Sequence, residues 1–146
     1  MSENTTPMSG RADMRRNLVI GTGIAAIVII VGSVLPWATV SLGDLSESVG
    51  GMDGDGAITL VLGLLLGAFA VYAYLRGAPR GLAWAAAVVA AIVAVVAIID
   101  IADVSSLSGD LGDLADVSVG FGLWLVLIGG IAGTILAAAL ALRKTG

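Results

Sequence analysis

The chain has 146 residues, 58% hydrophobic and only 12% charged, with a mean hydropathy of +1.06. Soluble domains carry roughly 25% charged residues, so this chain lacks the side chains to cover a water-facing surface. With no Cys and no His, disulfides, thiol nucleophiles, His-ligated haem and the usual imidazole base are excluded, and the net charge of −4 averages two signs that sit in different places.

Residues 1–16 are polar, contain Pro7 and Gly10, and read as a disordered tail. An apolar run, Leu18–Leu35, follows and is the first candidate span. Its Arg-rich approach resembles that of a cleaved leader, but the run exceeds the usual 7–15 residues of such a leader. Leu35-Pro36-Trp37 also offers no small-x-small cleavage site. It is read as a retained helix that Pro36 closes.

Loop one covers residues 36–56. Trp37-Ala38-Thr39-Val40-Ser41-Leu42 alternates in the manner of a strand, which allows a short hairpin. Gly51-Met52-Asp53-Gly54-Asp55-Gly56 then offers two carboxylates on a tightly turning backbone, so Asp53 and Asp55 are weak metal candidates. The oxygen ligands a calcium loop needs next are replaced by Ala57 and Ile58. The simpler reading is that Asp55 caps the second helix, where the dipole favours negative charge.

The second span is residues 57–75, the third 82–99 and the fourth 121–142; residues 143–146 form the other terminus. Each span has about 18 to 22 residues and no Asp, Glu, Lys or Arg, enough to cross roughly 30 Å of hydrocarbon as helix. Lipid leaves no water for unpaired amides, so helix is the required conformation. Loop two, residues 100–120, sets Leu107, Leu111 and Leu114 at helical spacing among Asp110, Asp113 and Asp116. It reads equally as an amphipathic helix lying on the membrane surface or as a solvated acidic connector. The fold class that follows is all-α, a transmembrane four-helix bundle.

All seven bases, Arg11, Arg15, Arg16, Arg76, Arg80, Arg143 and Lys144, fall on one side of such a bundle. Nine of the eleven acids fall on the other: Asp44, Glu47, Asp53, Asp55, Asp100, Asp103, Asp110, Asp113 and Asp116. The positive-inside rule places both termini in the cytoplasm and the two acidic loops outside the cell membrane. Trp37, Phe121 and Trp124 then mark the outer interface, and Tyr72, Tyr74 and Trp84 the inner one.

Helices in lipid associate through close packing, which small residues at four-residue spacing permit. Gly63 and Gly67 form such a pair in span two, and Gly129, Gly133 and Ala137 form a ridge in span four. Packing between the chain's own helices is the favoured use of these faces; a homo-oligomer contact is the alternative, with the span-four ridge the best candidate for a partner surface. Span three offers Ala83, Ala87 and Ala91 beside Ala86, Ala90 and Ala94.

No ionisable group lies at membrane depth, and no nucleophile–base pair, phosphate loop or ligand cluster is present. No enzyme activity, cofactor or nucleic-acid partner is expected. Leu35-Pro36-Trp37, the Gly51–Gly56 turn and Val119-Gly120-Phe121-Gly122-Leu123-Trp124 resemble small four-helix membrane proteins of actinobacteria and their phages. That resemblance implies a four-span topology and an actinobacterial or phage source, and no activity or functional residue. The expected role is a non-enzymatic membrane protein acting through helix contacts, as an accessory subunit or small envelope protein. The alternative is a phage-linked homo-oligomer, holin-like or excluding superinfection.

Overall fold

The structure is a computed structural model of the chain, and it describes residues 7–42, 45–50, 56–111 and 116–142. Four helices make up the body: α1 (Pro7–Val34), α2 (Gly56–Arg76), α3 (Arg80–Leu111) and α4 (Phe121–Leu142). All four are long and apolar enough to cross a membrane. α1 packs against α2 and α4, and α3 packs closely against α4 and more thinly against α2, so the helices form a ring in chain order.

The distribution of side-chain size identifies the solvent. The buried faces are built largely from Ala and Gly: Ala83, Ala87, Ala90, Ala94 and Ala97 in α3, and Gly122, Gly129, Gly130, Gly133 and Ala137 in α4. Most of the large aliphatics point outward, with Ile24, Val71, Ile98 and Ile135 each more than half exposed, while Ile29, Leu66 and Leu123 fill the interior. Water would make that surface a contiguous apolar patch, an aggregation liability. Lipid makes it neutral, and leaves close backbone packing as the force between helices. The protein is a multi-pass membrane protein, an all-α four-helix bundle in its spans.

The buried positions recur in alternating steps of three and four. In α2 the seam is Gly56, Thr59, Gly63, Leu66, Ala70 and Ala73, with Phe69 buried beside it; in α3 the alanines above follow the same rhythm. A 3.5-residue average keeps one seam facing a neighbour that crosses at about 20°.

Two helices are longer than the sequence reading expects. α1 begins at Pro7, so residues 7–16 are helical rather than part of a disordered tail; Pro is well accommodated at a first helical position, where its missing N–H is one of the orphans. α3 continues past Ile99 to Leu111, so this half of loop two is the same helix prolonged and not a separate surface helix. No Pro or Gly lies between Leu82 and Ser108 to interrupt it. Leu114, the last residue of the proposed amphipathic stripe, lies outside the described residues.

α2 and α3 are joined by a three-residue turn. The Gly77 amide donates to the Ala73 carbonyl at 2.9 Å with φ at 95°, a left-handed cap that favours glycine, and the Pro79 carbonyl receives the Ala83 amide.

At the opposite end of the bundle, three strands form an antiparallel sheet in the order β2-β1-β3: β1 (Pro36–Leu42), β2 (Leu45–Gly50) and β3 (Asp116–Val119). The β1–β2 hairpin occupies the segment whose alternation allowed it, with a register shift around Trp37. β3 was not expected; it pairs Ala38 with Val119 and Ser41 with Asp116, tying loop two to loop one.

Candidate functional site

The polar chemistry of the described residues concentrates where the sheet meets the bundle. β1 leaves α1 directly and β3 enters α4 directly, so their pairing fastens the end of one helix to the start of the other. The Gly120 amide donates to the Trp37 carbonyl at 2.7 Å. A Cβ on Gly120 would collide with the Pro36 carbonyl oxygen, so only glycine fits there.

Beneath that joint, α1 and α4 touch through their backbones. A Cβ on Gly32 would fall 2.7 Å from the Gly122 carbonyl oxygen, and one on Gly122 would fall 2.7 Å from the Gly32 carbonyl oxygen. The last carbonyls of a helix have no intrahelical donor. Here the Gly32 carbonyl accepts from the Trp37 indole Nε1 at 2.8 Å and, more weakly, from the Leu35 amide at 3.4 Å, within a site that leaves Trp37 only 5% exposed. Trp37 is therefore a buried cap, not the interface ring that its position in the sequence suggested. Phe121 at 70% and Trp124 at 45% exposure do face outward at this end, as Tyr72, Tyr74 and Trp84 do at the other.

Beside this contact, two hydroxyls close on each other. Ser33 and Thr59 are fully buried, with their oxygens 2.7 Å apart across α1 and α2. Ser33 Oγ also lies 2.7 Å from the Ile29 carbonyl, and Thr59 Oγ1 3.0 Å from the Gly56 carbonyl. Two protons serve three contacts. The two shorter ones are filled together when Ser33 donates to Ile29 and Thr59 donates to Ser33. Thr22 and Thr134 satisfy themselves on the Leu18 and Gly130 carbonyls, the back-bonding of hydroxyls within a helix.

The structure places the predicted packing residues inside the bundle. Gly63 faces Ile29, where a Cβ would come within 2.9 Å; Gly67 faces Ala26 at an ordinary 3.6 Å. Gly129 meets Ile29 and the Ala25 carbonyl, Gly133 meets Leu66 and Ala90, and Ala137 has no exposed surface. The ridge on α4 thus packs within the chain, the use that sequence spacing favours over a contact with a partner. Its small residues let α1 and α3 approach α4 from both sides, which consumes the ridge. Sequence spacing missed Gly32, Gly122 and Gly130, the last with a Cβ position 2.8 Å from the Ala94 amide nitrogen.

Asp53 and Asp55, the metal candidates and the proposed cap, lie outside the described residues. Among the described residues no group of three His, Cys, Asp or Glu is gathered as metal ligands. Glu47 sits on β2 opposite Val40, Asp103 is exposed on α3, and Asp100 is half-buried at the end of the third span.

Fold and junction together define a class: a four-span membrane bundle whose first and last helices are clamped by a three-stranded cap. Compared with family models, curated proteins and solved structures, the chain gives no significant match.

Proposed function

We propose that this protein lies in a cell membrane with both termini in the cytoplasm and acts without catalysis, through contacts, as an accessory subunit or small envelope protein. The observation that carries the reading is how the interior is spent. Ala and Gly seams bring the helices into backbone contact, and the buried hydroxyls of the spans are paired among themselves or on their own helices. Such an interior offers a substrate or an ion little to bind, since transport and proton transfer usually need ionisable groups at that depth.

What remains for recognition is the cap end, where Glu47 lies on β2, Asp116 on β3 and an exposed Asp103 on the prolonged α3. No Lys or Arg occurs between residues 17 and 75 or between 81 and 142, so the whole of that end is acidic. A partner with a basic surface fits it. The short-motif resemblance noted above adds an actinobacterial or phage envelope as the setting.

Purification from the native membrane in mild detergent tests this. A partner in fixed stoichiometry is expected, released by salt as exposed charges are screened over about 10 Å at 0.1 M, and lost when Asp103→Asn and Glu47→Gln are combined. A single chain alone, unchanged by that pair, contradicts the reading. The phage-linked homo-oligomer is less well supported, because the small-residue face it would need on α4 is turned inward.

A further inference from the structure

The bundle surface carries a groove between α1 and α2, about 600 Å³ in volume, whose floor and walls include Val19, Gly23, Ile30, Leu64, Gly67 and Tyr74. That volume lies in the range of sites that hold small organic ligands, about 300–1,000 Å³. A second, polar pocket of about 330 Å³ adjoins it, lined by Asp13, Arg15 and Arg16, and shares Val19 and Tyr74 with the groove. Arg15 reaches across toward the α2–α3 turn, its Nη1 3.8 Å from where a Gly77 Cβ would be.

The geometry points to a bound anionic phospholipid, with one acyl chain in the α1–α2 groove and its phosphate at Arg15 and Arg16. Length decides between occupants. On α1 the groove runs from Val19 to Ile30 and on α2 from Leu64 to Leu75, about 16 Å on each at about 1.5 Å per residue. That is half of a hydrocarbon layer of about 30 Å, the depth of a single leaflet. A docked helix would need a seam along the full crossing.

The groove also ends on guanidinium groups, which match a headgroup phosphate in charge and hydrogen-bonding geometry. Basic pockets between spans are a known form of lipid headgroup site. Asp13 competes for Arg16 in an exposed pair at 3.6 Å, so Arg15 is the stronger anchor and Asp13 weakens the site. This inference needs the four-span fold and neither the orientation nor the partner proposed above.

The test is binding of phosphatidylglycerol and of phosphatidylcholine to the detergent-purified full chain, read by native mass spectrometry. Wild type should prefer phosphatidylglycerol. Arg15→Gln should lower that affinity about fivefold, the worth of one arginine near a membrane surface, and leave phosphatidylcholine unchanged. Asp13→Asn should raise it. Ala68→Trp, filling the groove from its exposed wall, should weaken both lipids with helicity intact. Equal binding of the two lipids by wild type overturns the assignment, as does a shift in the same direction for Arg15→Gln and Asp13→Asn. A dimer that Ala68→Trp dissociates would give the groove to a second copy and also overturn it. If Ala68→Trp fails to fold, the two charge variants at exposed positions decide alone.

Discussion

Replacing Gly130 by Ala puts one methyl group where α3 and α4 are in backbone contact. The Cβ would lie 2.8 Å from the Ala94 amide nitrogen and 3.0 Å from its Cα. Neither atom belongs to a side chain that can rotate away, so the helices must part by about 0.6 Å to restore an ordinary 3.4 Å contact. A gap of 0.5–1 Å forfeits roughly a quarter to a half of each dispersion contact along the seam. Overpacking of this kind costs about 1–3 kcal/mol, and the rigid obstacle places it near the top of that range. Ala regains about 1 kcal/mol of helix propensity over Gly, leaving a net loss of about 2 kcal/mol.

Gly67→Ala is the matched control. Its Cβ would meet Ala26 at 3.6 Å, so propensity alone acts and the chain should gain up to about 1 kcal/mol. Unfolding in mixed micelles, followed by circular dichroism, measures both. If Gly130→Ala equals wild type, or Gly67→Ala is as damaging as Gly130→Ala, close backbone packing is not what holds the bundle.

Trp37→Phe keeps the ring and removes the shorter of two donors to the Gly32 carbonyl, leaving the Leu35 amide at 3.4 Å; the loss of one hydrogen bond should cost about 0.5–1.5 kcal/mol in the same assay. Ser33→Ala and Thr59→Ala should each destabilise, and the double-mutant cycle should show coupling of about 0.6 kcal/mol, with about 1.7 as the upper bound seen between membrane helices. Zero coupling would mean the 2.7 Å contact contributes nothing beyond packing.

The spans were legible because a run of uncharged apolar residues long enough for a bilayer has few other uses, and the charges between them mark each end. The cap was only half legible. Trp37–Leu42 alternates visibly, but Asp116–Val119 is four residues whose pairing depends on α1 and α4 lying side by side. The prolongation of α3 is hidden because acids enter at Asp100 and suggest a loop, although no Pro or Gly after Leu82 interrupts the helix until Gly109.

The packing residues divide the same way. Gly63, Gly129 and Gly133 stand out by spacing along one helix. Gly32, Gly122 and Gly130 matter because of what crosses them, which a single helix does not record. Gly122 lies seven residues before Gly129 on the same seam, but Val126 between them interrupts the run of small residues. Trp37 was misplaced for a related reason: an aromatic ring beside a span end is ambiguous until the carbonyl it caps is known.

In the proposed topology the guanidinium-bearing and carboxylate-bearing ends lie on opposite sides of a lipid barrier. The chain has no Cys, so single cysteines can be introduced at two exposed positions, Asp103→Cys on the prolonged α3 and Gly81→Cys beside the α2–α3 turn. A membrane-impermeant maleimide applied to intact cells should label the first, and reach the second only after permeabilisation. Labelling of both from one side would overturn the four-span topology.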